Sequence, residues 1–280
     1  MKRIKSRLVG VFVVAFLLQA EARAAALAYD DANDPIYTGP LWGEWQTGEN
    51  GGFGFGPWEL NMYGPPDIQP GVHLVPHYIG TSENNAVDNR AGIDVMRKSF
   101  ALYGSTNVLS EAIRPFIGDL SVGQSFIVFI DNGRLGRDGR FGVELKNALG
   151  EARIGLLLRW DVANYLLRDA TGTFSTGLEH IPGMGYRLEF ALTGPDTMTV
   201  SIQETNGVPL SVWTNRPLAG TAGSGIDRVR FFVEKAGITE ANEQFFNRLA
   251  IIPEPVTSLL VLLGLTGTCF LLRRRGDPAS

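Results

Sequence analysis

The sequence predicts an all-β fold of the sandwich or barrel kind, and three observations predict it. Apolar and polar residues alternate with a period of two along much of the chain between Tyr29 and Ile252. Turn chemistry separates the alternating runs at short intervals, as in Asp131-Asn132-Gly133, Asp138-Gly139, Gly194-Pro195-Asp196 and Asn206-Gly207. Helical periodicity is scarce in the same region, and the 34 glycines suit many turns.

Taken in order, the chain opens with Lys2, Arg3, Lys5 and Arg7, followed by the apolar run Leu8 to Leu18. That run is too short to span a bilayer and has the proportions of a secretory signal. The small residues of AEARAAALA allow A-x-A cleavage after Ala24 or after Ala28. Residues 1–28 therefore read as a signal peptide and 29–252 as an exported body. Tyr63 to Asp94, rich in Pro, Asn and Gly, reads as loops with one short strand.

Strands are then expected at KSFALYG, AIRPFI, SFIVFI, RFGVELKN, IGLLLRW, NYLLRDA, YRLEFAL, TMTVSIQ, LSVWTN, DRVRFFVE and FFNRLAII. In RFGVELKN, Phe141, Val143 and Leu145 face inward while Glu144 and Lys146 face water. SFIVFI and IGLLLRW are apolar nearly throughout and read as central strands. The total of roughly ten to twelve short strands is that of a sandwich or barrel.

The chain ends in Pro253-Glu254-Pro255, an uncharged apolar run from Val256 to Leu272, and Arg273, Arg274 and Arg275. As a helix that run would reach about 25 Å, a short but workable membrane span. The arginines keep their end cytoplasmic, so the body lies across the membrane. Between Tyr29 and Pro255, 17 basic residues face 27 acidic ones, a net of −10. Such a body excludes electrostatic tracking of nucleic acid. The single cysteine, Cys269, lies in the apolar run, so no disulfide staples the body.

The three-part C-terminus resembles the PEP-CTERM sorting signal: Pro253, Glu254 and Pro255, the span 256–272, and the cluster Arg273 to Arg275, together the segment 253–280. The resemblance implies an exosortase-type membrane enzyme as partner, which removes the tail of exported proteins in Gram-negative bacteria that make exopolysaccharide and biofilm. It also implies a transient inner-membrane stage before release to the cell surface or matrix. The stretches GENGGFGFGPWEL, SFALYG, FIGDLSVGQSFIVFIDNG and YRLEFALTGPDTMTVSI are similar to the ectodomain of many such proteins, which implies an antiparallel jelly-roll β-sandwich of the concanavalin-like type.

Candidate sites follow. Calcium needs several hard oxygens, which Asp30, Asp31, Asn33 and Asp34, or Asp131, Asn132 and Asp138, could supply. The competing explanation is ordinary turn chemistry. His73 and His77 are four apart, but Pro76 between them argues against a zinc-binding helix, so no zinc site is expected. Trp42 and Trp45, in the polar stretch GPLWGEWQTGEN, are the tryptophans expected to be exposed enough to stack on sugar rings. In NGGFGFGPW no G-K-[ST] follows, so Phe53, Phe55 and Trp58 are expected to pack rather than frame a phosphate loop. Glycosidase chemistry would need two facing acids, whereas Glu144 with Lys146, and Arg187 with Glu189, read as solvated strand surfaces. The sequence therefore points to a non-catalytic envelope or matrix protein associated with glycan. A polysaccharide-active hydrolase or lyase, and an uncleaved single-span surface protein, are the alternatives.

Overall fold

In the computed structural model, which describes residues 26–37, 45–64, 75–85, 92–237 and 242–253, the alternating runs become fifteen strands. They are β1 (Ala28–Asp30), β2 (Glu59–Tyr63), β3 (His77–Gly80), β4 (Ser99–Tyr103), β5 (Leu109–Pro115), β6 (Gln124–Asn132), β7 (Arg140–Lys146) and β8 (Ala152–Arg159). Then follow β9 (Asn164–Asp169), β10 (Gly172–Glu179), β11 (Gly185–Gly194), β12 (Thr197–Glu204), β13 (Pro209–Pro217), β14 (Arg228–Glu234) and β15 (Glu243–Pro253). One sheet runs β13-β12-β11-β6-β15-β4-β3, with β1 added to β15; the other runs β10-β9-β8-β7-β14-β5-β2. The arrangement is an all-β sandwich of two antiparallel sheets.

Period-two alternation decides what enters the core. Tyr186, Leu188, Phe190 and Leu192 of β11 are buried, as are Met198, Val200 and Ile202 of β12, and Val229, Phe231 and Val233 of β14. The two sheets meet through aromatic contacts. Phe231 of β14 stacks on Phe246 of β15 with ring centroids 3.8 Å apart and planes 4° from parallel. Trp58 and Phe100 pack beside them.

Several expectations are corrected. Glu144 is buried rather than solvated, because arginines from β9 and β14 close over it. Phe53 is 55% exposed, while Phe55 and Trp58 are buried as expected. Phe53 sits where its backbone bridges Tyr29, which turns its ring outward while the next alternate residue, Phe55, enters the core. The strand around AIRPFI begins earlier, at Leu109, since Ser110 faces the interior and donates to the Tyr103 carbonyl. Strands β1, β2 and β10 went unforeseen because they are short or rich in Gly, Ser and Thr.

The Leu27 amide donates to the Ile251 carbonyl at 2.7 Å, and Ala28 pairs with Ile251 as a buried residue. Pro253 ends β15 in an exposed position. The signal-peptide core, Glu254, Pro255, the span 256–272 and Arg273 to Arg275 lie outside the described residues. Among the described residues no helix is long and apolar enough to cross a membrane.

Candidate functional site

The outward face of the second sheet carries the chemistry. Strand pairing sets two rows across it. One row runs Asn61, Glu111, Phe232, Gly142, Leu157 and Leu166. The other runs Glu59, Ile113, Arg230, Glu144, Gly155 and Arg168. Charges in the two rows interlock. Arg230 donates from Nε to Glu111 at 2.7 Å and from Nη1 to Glu144 at 3.0 Å. Arg168 donates to the other Glu144 oxygen at 3.2 Å, and Asn61 and Tyr63 donate to Glu111. Two nearly buried carboxylates thus share the Arg230 guanidinium, and Arg168 supplies a second cation to Glu144, as burial of charge demands.

Two glycines let these side chains lie against the sheet. A Cβ on Gly142 would stand 2.2 Å from the Phe232 ring, and one on Gly155 would stand 2.9 Å from Glu144 Cγ. The Phe232 ring is held by Arg230 and Arg140, whose guanidinium carbons lie 4.3 and 5.7 Å from its centroid. Gly142→Ala is therefore expected to force the ring aside and cost about 1–3 kcal/mol; urea unfolding checks this, and an unchanged midpoint would refute it.

Beside this network lies a cleft of about 280 Å³, lined by Arg140, Glu144, Lys146, Leu157, Arg168, Arg230 and Phe232 with the small residues Gly150 and Ala152. That volume is at the small end of ligand clefts. Four cations face one carboxylate. Arg140 pairs with Glu234 through Nε. Lys146 makes no direct ion pair among the described residues; burial, reinforced by the Arg230 charge and opposed by Glu144 and Glu111, holds its ammonium below the usual lysine range. Trp160, which follows β8 and donates its amide to the Gly139 carbonyl, is 47% exposed and is not among the residues that line the cleft.

The sites expected from sequence fall elsewhere. Trp42 lies outside the described residues. Trp45 is buried, correcting the expectation of exposure: it packs edge-on against Trp58 at 4.6 Å and contacts Phe100 and Phe246. Asp30 is tied to Arg114 at 2.9 Å and accepts from the Tyr37 hydroxyl at 2.7 Å. Asp31 bonds the Asn33 amide and the Tyr29 hydroxyl, and Asp34 bonds the amides of Ile36 and Gly52. Asn33 is half-buried in the same turn. Asp131 and Asn132 are buried at the end of β6, with Asn132 donating to the Tyr165 hydroxyl, whereas Asp138 sits in a turn with φ 66°. Among the described residues, no three His, Cys, Asp or Glu side chains gather to hold a metal ion.

His73 lies outside the described residues. His77 is buried and His180 half-buried, with Nε2 3.0 Å from the Glu111 and Asn132 carbonyls respectively, and desolvation lowers both below the usual histidine value. The expected Arg187–Glu189 pair forms at 2.8 Å. Sequence reasoning passed over the cleft cations and ranked Trp160 behind Trp42 and Trp45. The flanking Arg159 and Asp161, themselves an ion pair, were the signal that Trp160 lies at the surface.

No family model and no curated protein matches the chain. Several solved structures align with parts of the chain at low sequence identity. One titled a sialidase aligns with 81% of this chain at 12% identity and TM-score 0.47, over 19% of its own length. The Caenorhabditis elegans galectin LEC-6 aligns with 50% of this chain and 88% of its own at 16% identity and TM-score 0.33. The binding domain of botulinum neurotoxin serotype D covers 75% of this chain and 46% of its own at 10% identity and TM-score 0.38. The chain thus spans about a fifth of the sialidase.

Proposed function

We propose that this chain is an exported, non-catalytic β-sandwich that associates with glycan through the outward face of its second sheet. The observation that carries the reading is the cation-lined cleft of about 280 Å³; the exposed Trp160, one residue beyond Arg159 on β8, lies outside its lining. An indole face packs on sugar C–H groups, and fixed charged donors orient hydroxyl or carboxyl groups beside it. The non-catalytic part is supported by Glu111 and Glu144, both tied to Arg230, which leaves neither free to act as acid and nucleophile. A panel of soluble exopolysaccharide fractions should bind the wild-type protein, and Trp160→Ala should weaken that binding at least tenfold without moving the melting temperature. Equal binding by the variant would remove the face from consideration.

Delivery follows from the chain ends, as the resemblance to PEP-CTERM proteins implies: export, a transient inner-membrane stage, then removal of the tail by an exosortase-type enzyme. Between the two A-x-A cleavage options, the hydrogen bond of Leu27 and the burial of Ala28 favour cutting after Ala24, since cutting after Ala28 would strip both from β1. Intact mass is expected to give a mature protein starting at Ala25 and, only in a host with an exosortase, ending near Pro255. A product that keeps Arg275 in both hosts would make the tail a plain anchor.

A further inference from the structure

We propose that the cleft selects an acidic sugar, a uronate whose carboxylate is seated on Lys146. This rests on the glycan-associating reading above. The cations around the cleft differ in how far they are already engaged. Arg230 is held between Glu111 and Glu144, and Arg228, which pairs with Lys146 across β14 and β7, is held at 3.0 Å through two donors by Asp227. Arg168 and Arg140 each give one donor group to a carboxylate, and a guanidinium has five N–H groups. Lys146 gives none among the described residues, although it is partly removed from water and feels the repulsion of Arg230 and Arg228 against the attraction of Glu144 and Glu111. A half-buried ammonium with no carboxylate in direct contact is costly, and an incoming anion relieves that cost where a neutral hydroxyl does so only in part.

The charge of the rest of the body sharpens the point. With 17 basic and 27 acidic residues between Tyr29 and Pro255, the long-range field repels an anion. Attraction must therefore come from the cations gathered at the cleft, of which Lys146 gives no donor to a carboxylate among the described residues. Binding should then hang on single side chains rather than on overall charge. A sugar acid fits better than an acidic peptide because the cleft has room for about one ring-sized group.

The test uses the full-length protein in mild detergent and titration calorimetry with a short oligogalacturonate, its methyl ester, and oligoglutamate. The methyl ester keeps the sugar and removes the charge. The acid form is expected to bind at least tenfold more tightly than the ester or oligoglutamate. Lys146→Met should abolish that preference with an unchanged melting temperature, and Lys146→Arg should retain it. Equal binding of acid and ester, with loss of both in Trp160→Ala, would overturn acid selection while leaving the glycan reading intact. Equal binding of oligoglutamate would show that any carboxylate suffices and overturn the sugar assignment. Failure of the acid to bind, while neutral polysaccharides in the panel do, would overturn the inference alone; failure of every glycan would overturn both.

Discussion

Replacing Arg114 by methionine is expected to cost about 3–5 kcal/mol of folding stability, and to cost more at pH 8 than at pH 5. Arg114 and Asp30 are both fully buried and 2.9 Å apart. The guanidinium also donates to the carbonyls of Gly51 and Glu49 and lies 4.8 Å over the Trp58 ring. It therefore fastens the N-terminal stretch around β1 to β5. Burial pushes the Asp30 carboxyl up to about 6, against the downward pull of Arg114 and the Tyr37 hydroxyl. Without Arg114 it rises further. The unfolded chain ionises this group near 3.9. A raised folded value means that the native state holds a proton the unfolded state has lost, so stability falls as pH rises. In the wild type that fall is complete by about pH 6; in the variant it continues above pH 6 at about 1.4 kcal/mol per unit. Urea titrations at both pH values measure the difference. Adding Asp30→Asn to the variant should flatten the extra slope. An identical loss at pH 5 and pH 8 would show that Asp30 is not the group Arg114 serves.

That pair also shows where sequence reading stops. The inward halves of the strands were legible because alternation is local: Phe141, Val143 and Leu145 mark one face whatever the topology. Charge partners are set by topology instead. Glu144 looked paired with Lys146, two residues away on the same face. Strand order puts β14 beside β7, so Arg230, distant in sequence, takes that carboxylate, while Lys146 is left unpaired among the described residues. Asp30 had the same history. Its neighbours Asp31 and Asp34 suggest a loop of hard oxygens, and only the return of β5 brings Arg114 to it. Trp45 has polar sequence neighbours and still enters the core, because the cavity between Trp58, Phe100 and Phe246 is built from segments far away in the chain.

Trp58→Ala is expected to lower stability by about 3–5 kcal/mol, which for a domain of this size lowers the melting temperature by roughly 6–20 °C. Trp58 is fully buried just before β2 and wedges between the sheets. Its ring lies 5.2 Å from Phe100 and 5.9 Å from Phe246 in one sheet, and 6.4 Å from Phe231 in the other. Its indole N–H donates to the Tyr37 hydroxyl at 3.0 Å, so alanine removes both a large apolar volume and a satisfied buried polar contact. Trp58→Phe keeps much of the volume and should cost less. The same strand then separates stability from binding. On β14, Phe231 points into this core while Arg230 and Phe232 on either side line the cleft. Alternation along a strand puts the two functions on opposite faces. Below its lowered melting temperature, the Trp58→Ala protein should therefore bind glycan as the wild type does, whereas Trp160→Ala should do the reverse. Calorimetry and scanning fluorimetry on the two variants read both effects. Loss of binding in folded Trp58→Ala protein would mean that the cleft depends on core packing beneath β14, and that the two faces do not act independently.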